Sequence, residues 1–167
     1  GWGSSVALIT NMTLFRRIRS RIGAGLQRVP PVEGYDRWAE SYDEQPDNVV
    51  FALESTVFRE LLARVAIEGK IVVDVGCGTG RHWPDVVVRK PAELIGVDPS
   101  QRMLERLKAR YPEARAVSAA GDCLAGIAGT SCDLVISTLA LAHISSAERA
   151  IGEWCRGPKS ARVMTRA

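Results

Sequence analysis

The sequence predicts an α/β fold in which a parallel β-sheet carries helices on both faces. Two observations lead there. Continuously apolar or β-branched runs of strand length recur after Gly69, and stretches with helical spacing alternate with them. Strands buried on both faces read as unbroken apolar runs, and parallel neighbours need a crossover that a helix supplies. Right-handed crossovers make such a sheet doubly wound and Rossmann-like. At 167 residues the chain is long enough for one domain with a core and too short for two ordinary ones.

Residues 1–32 read as a basic leader, holding Arg16, Arg17, Arg19, Arg21 and Arg28 and no acid. Leu14, Phe15, Ile18 and Ile22 fall at helical spacing among them. The leader is therefore either a short amphipathic helix, suited to weak peripheral membrane contact or similar to an organellar transit segment, or a solvated tail closed by Pro30 and Pro31. The domain expected over 33–167 opens with YDRWAESYDEQPDNVVFALESTVFRELLARVA, two helices interrupted near Pro46 and Asp47. In the second, Val50, Leu53, Val57, Leu61 and Leu62 make a stripe with the spacing of a core-facing side.

The alternating units then follow. IVVDVG is the first strand. Pro84 and the run Val86-Val87-Val88 predict a short or late-starting helix after it, because proline is tolerated only in a first turn and valine is a mediocre helix former. ELIGVDPS is the second strand and SQRMLERLKARY a helix. AVSAAGD is a shorter third strand, CDLVISTLA a fourth, and SSAERAIGEWCR a helix. The final GPKSARVMTRA supplies at most a fifth strand, an edge through which an oligomer could form.

Outside the leader, 17 basic side chains face 19 acidic ones, so the body is near neutral. A nucleic-acid binder usually carries its positive charge in the folded domain, so no nucleic-acid partner is expected. Cys77, Cys123, Cys132 and Cys155 form no CxxC pair, so no metal site is expected and free thiols in a reducing cytoplasm are the simplest reading. No apolar run approaches the roughly 18 residues of a membrane span.

The chemistry concentrates at VVDVGCGTGRH. In an open α/β sheet, ligands bind beyond the carboxyl ends of the strands, and glycines there admit positive φ and remove Cβ atoms that would hold a ligand off. Gly76, Gly78 and Gly80 are such positions. A dinucleotide fingerprint is G-x-G-x-x-G, with a pyrophosphate over a helix N-terminus. Here the pattern is G-x-G-x-G with Asp74 before it, which suits a ligand carrying an ammonium and a sulfonium better than a pyrophosphate.

Asp98 ends the second strand, 24 residues after Asp74, where a carboxylate can accept both hydroxyls of a ribose. It can equally cap the next helix. Asp122 is either an acceptor for an adenine amino group, with the Cys123 N–H beside the ring, or an ordinary turn aspartate. His143, past the fourth strand, is either a general base or a structural histidine.

Together VVDVGCGTGRH, LIGVDPSQRML, AAGDC and CDLVISTLALAHI resemble the class I S-adenosylmethionine-dependent methyltransferases, most closely the type 11 small-molecule group. YDRWAESYDE is similar to the segment that folds over the cofactor in that group. The resemblance implies S-adenosyl-L-methionine as cofactor and a small-molecule methyl acceptor. It implies that Gly76, Cys77 and Gly78 contact the methionine and ribose portions and that Asp98 holds the ribose. Pro99 and Met103 would pack beside the adenine, with Asp122 and Cys123 at its edge. Ser137 would lie under the methionine moiety, and Tyr35 and Tyr42 would close the pocket. It also implies that the group's C-terminal strands are missing here. That leaves a catalytically silent binding or interaction module as the alternative, and a nicotinamide oxidoreductase as a third reading that the glycine spacing opposes.

Overall fold

The computed structural model describes residues 29–45, 47–124, 127, 132–140, 143, 144, 146–155 and 162–166. The amphipathic stripe expected in the leader lies outside them. Helix α1 spans Pro31–Trp38, with the fixed φ of Pro31 suiting its first turn. The helical body thus takes in the last two residues assigned to the leader. After a turn, Asn48 caps α2, Val49–Leu62, by accepting from the N–H groups of Val50 and Phe51.

Strand β1, Ile71–Val75, leads through the glycine turn to α3, Trp83–Val87. This helix has five residues and holds Pro84 in its first turn, as the prolines and valines predict. Strand β2, Glu93–Asp98, is followed by α4, Gln101–Arg110, whose N-cap Ser100 accepts from the Met103 N–H. Next come β3, Arg115–Ser118, and β4, Leu134–Thr138. Helix α5, Ala147–Cys155, and β5, Arg162–Arg166, complete the described elements.

All strand pairings are parallel, and the order is β3-β2-β1-β4-β5. The chain builds outward from β1 in one direction and then reverses to β4, which puts the switch point between β1 and β4. Alternating side chains separate two cores. Val73, Val75, Val97 and Val135 pack with Ala150 and Trp154 of α5 on one face. Val72, Leu134 and Ile136 pack with Phe58 and Leu62 of α2 and Val86 of α3 on the other. Helix α4 joins this second face through Leu104 and Leu107 against Trp83 and Cys77. The doubly wound sheet is therefore covered on both sides.

One expectation fails in part. The stripe predicted to face the core from α2 does so only at its end, where Leu62 is buried, since Val50 is 55% exposed and Leu53 58%. The buried residues of that helix are Glu54, Phe58 and Leu62. Glu54 is drawn inward by two partners from the far end of the glycine turn. Arg81 Nη2 donates to its Oε2 at 2.5 Å, and His82 Nε2 lies 2.8 Å from the same atom. Arg81 also donates to Ser55 Oγ and lies 4.3 Å over the Phe51 ring. The face of α2 turned inward thus joins the apolar Phe58 and Leu62 to a polar Glu54 matched across 27 residues.

Candidate functional site

A cavity of about 260 Å³ opens at the carboxyl end of the sheet, over the switch point. Of the residues expected there, Tyr35, Tyr42, Gly76, Gly78, Asp98, Pro99, Met103, Asp122 and His143 line it. They come from the N-terminal segment, the end of β2, the first turn of α4 and the loops after β1 to β4.

The glycine turn is held in an unusual way for a ligand-binding loop. The N–H groups of Gly76 and Cys77 both donate to the Val97 carbonyl, at 2.7 and 3.1 Å. The next N–H, that of Gly78, donates to Asp98 Oδ2 at 2.9 Å. Three successive amides are thus committed to β2, and the turn presents no nest of donors to an anion. Gly76 has φ +75°, and a Cβ on it would lie 2.3 Å from the Ala140 Cβ, so glycine alone lets the turns after β1 and β4 meet.

Asp98 is 8% exposed. Burial raises its pKa, the hydrogen bonds from Ser100 and Gly78 lower it, nearby Asp36 raises it again, and the net shift is upward. Its Oδ1 accepts the Ser100 N–H at 2.8 Å, while Ser100 is itself the cap of α4. The cap and the binding-site reading of this aspartate therefore divide between neighbours: Ser100 caps, and Asp98 faces the cavity.

Five expected residues do not line the cavity. Asp74 lies behind the turn, 4% exposed, with Oδ2 accepting from Trp83 Nε1 at 2.9 Å. Period-two alternation turns it to the helix-covered face with Val72, and burial raises its pKa to about 6. The Cys77 thiol is buried with Trp83, Leu104 and Leu107, and burial raises its pKa well above the usual thiol range, so it is no nucleophile. Gly80, φ +76°, is packed so that a Cβ would meet Leu107 at 2.5 Å. The Cys123 N–H is spent on the Ala120 carbonyl at 2.9 Å, which removes the donor expected for a ring. Ser137 shares the face of Val135, fully buried, its hydroxyl without a hydrogen-bond partner, and the lining passes to Thr138 instead.

The N-terminal segment forms a strap across the mouth. Ser100 Oγ donates to Asp36 at 2.5 Å, Thr79 Oγ1 to Asp43 at 2.8 Å, and Arg110 to Asp43 at 3.0 Å. Arg106 donates to the carbonyls of Ala39 and Glu40. Inside the strap, Tyr35 meets Tyr42 and His143 edge-on, at 6.3 and 5.3 Å between ring centroids. Burial, with Tyr42 and Asp98 adding, pushes the Tyr35 phenol up to about 12, which keeps the hydroxyl protonated. None of Asp36, Asp43, Thr79 or Arg106 was legible as a site residue, since each pairs across more than thirty positions. Leu139, φ +56°, also lines the cavity in a conformation that non-glycine residues rarely adopt.

A fold of this topology with its cavity at the switch point can be compared with known proteins. Residues 73–160 match the type 11 family described as "Methyltransferase domain". The chain belongs to this methyltransferase domain family.

The domain is 34% identical over 101 residues to an uncharacterized methyltransferase of Emericella nidulans, covering 50% of this chain and 35% of that protein. It is 47% identical over 55 residues to a trans-aconitate 2-methyltransferase of Methylobacterium radiotolerans, covering 32% of this chain and 21% of that one. The aligned part thus spans about a third or less of these curated relatives. A solved structure from Methanococcus maripaludis, provisionally described as an S-adenosyl-L-methionine-dependent methyltransferase, superposes with a TM-score of 0.63 at 14% identity. It covers 86% of this chain and 68% of that one, and supports the fold alone. Among the described residues of the methyltransferase domain, no helix is long and apolar enough to cross a membrane.

Proposed function

We propose that this domain binds S-adenosyl-L-methionine in the cavity at the switch point and transfers its methyl group to a small-molecule acceptor. The observation that carries the reading is the commitment of the Gly76, Cys77 and Gly78 amides to β2. A pyrophosphate needs those donors, whereas a ligand bearing a sulfonium and an ammonium does not. The same feature speaks against a nicotinamide dinucleotide.

The residues present fit such a ligand. Asp98 would accept the ribose hydroxyls with the lone pairs that Gly78 and Ser100 leave over. Met103 and Pro99 would flank the adenine, and Asp122 would accept its amino group. Gly76, with no side chain to intrude, would lie against the methionine portion, and Tyr35 and Tyr42 would cover it from the strap. When bound, the cofactor supplies a methyl group on a charged leaving group. The protein's task is then to align the acceptor in line with that methyl and to keep water out. The strap supports the second task. His143, at the cavity rim beside Tyr35, is the candidate base where an acceptor must lose a proton.

The near-neutral charge of residues 33–167 supports a small-molecule acceptor over nucleic acid. The free thiols of Cys77, Cys123 and Cys132 are in keeping with a reducing, cytoplasmic setting. The test is incubation with methyl-labelled cofactor and two acceptor pools, small metabolites and total RNA. Label in the metabolite pool, lost in Asp98→Ala, supports the reading. Label confined to RNA overturns the acceptor class.

A further inference from the structure

Helix α5 backs the cavity without lining it, yet two of its side chains hold the loop that carries Asp122. Trp154 Nε1 donates to the Gly121 carbonyl at 2.7 Å from a fully buried position. Arg149, five residues earlier in the helix, extends Nη2 to Asp122 Oδ2. The Arg149 side chain is 64% exposed, whereas that of Asp122 is 9% exposed. Arg149 itself is placed by the start of its helix, where its N–H donates to Ser146 Oγ at 3.2 Å. The main chain and the carboxylate of residues 121 and 122 are thus each fixed from the same helix.

A carboxylate with one oxygen held by a guanidinium is fixed at a defined place, with its remaining lone pairs free to accept. At the cavity wall beside Met103 such a group distinguishes ligands by one property. It welcomes an N–H donor and repels a carbonyl oxygen. An adenine presents an amino group at its six position, and a hypoxanthine presents a carbonyl there.

We propose that Arg149 is a positioning residue that sets base selectivity, holding the Asp122 carboxylate as a fixed acceptor for the exocyclic amino group of an adenine-bearing ligand. The inference rests on the cofactor reading above and adds to it a residue that never touches the ligand.

The test compares the affinities of S-adenosylhomocysteine and S-inosylhomocysteine for the full chain and for Arg149→Ala and Arg149→Lys, by calorimetry. The original protein is expected to prefer the adenine compound. In Arg149→Ala the adenine affinity falls roughly three- to tenfold while the inosine affinity holds, so the ratio shrinks. Arg149→Lys restores part of the ratio. A ratio unchanged in Arg149→Ala overturns the inference, and so does a shift in melting temperature with the ratio intact, which would make the pair merely structural. An original protein that binds both compounds equally also overturns it. Binding of neither compound by the original protein defeats the cofactor reading itself, and that failure is visible before any variant is made.

Discussion

The Gly78 N–H donates to Asp98 Oδ2 at 2.9 Å, so the acid that ends β2 is also the strut that holds the turn after β1. Its other oxygen does the same for Ser100. Asp98→Ala removes two charge-assisted hydrogen bonds together with the proposed ribose acceptor. Affinity for the cofactor should fall by on the order of 100-fold or more, with a lowered melting temperature. Asp98→Asn keeps one acceptor oxygen and should fall between the two. Calorimetry paired with thermal unfolding separates the effects.

Asp74 makes a prediction about pH. Burial lifts its pKa from 3.8 to about 6 in the folded chain. Between those values the folded state holds a proton that the unfolded state has released. Stability from this group is therefore present at low pH and lost as pH rises from about 4 through 6. Asp74→Asn keeps an acceptor for Trp83 Nε1 and removes the penalty. At pH 7.5 the variant should be more stable than the original, by up to roughly 3 kcal/mol. Chemical denaturation across pH should find that gain shrinking toward pH 4. A variant less stable at pH 7.5 would mean that the buried charge is favoured.

Glu54 has the opposite sign. Burial raises its pKa, but the hydrogen bond and charge of His82, followed by those of Arg81, outweigh that and hold the carboxyl below its usual range. Its contribution is present above the ordinary carboxylate pKa and lost as pH falls. Glu54→Ala takes the carboxylate from His82 and leaves Arg81 with Ser55 Oγ and the Phe51 ring, and should cost about 3–5 kcal/mol near pH 7. The cost should lessen in acid, as followed by urea unfolding at several pH values.

The strap has its own test. Asp43 accepts from both Thr79 and Arg110, and Asp43→Ala releases both. The loss should cost about 1 kcal/mol of overall stability. Amide hydrogen exchange should quicken over residues 31–45 while β1 stays protected. Cofactor release, followed by stopped flow, should quicken with it.

The sheet was legible because its strands carry their burial in composition: β1, β2 and β4 are apolar on both faces, so any register buries them. The switch-point loops followed, and with them Gly76, Asp98 and Asp122. What stayed hidden depends on pairings far apart in the chain. The stripe on α2 reaches the core at Leu62 but not at Val50 or Leu53, and the buried face includes Glu54, matched to Arg81 and His82. Asp74 was assigned to the ligand by its place beside the glycines, and strand alternation turns it the other way. Arg149 carried no signal, being one arginine on an amphipathic helix until the fold brings it to Asp122.

The most direct measurement is titration of the folded chain with S-adenosyl-L-methionine by calorimetry, with NADH as the comparison. Saturable binding of one equivalent in the micromolar range, weakened on the order of 100-fold or more in Asp98→Ala, with no heat from NADH, is the expected result. Binding of NADH, or no binding of S-adenosyl-L-methionine by chain that circular dichroism finds folded, would contradict it.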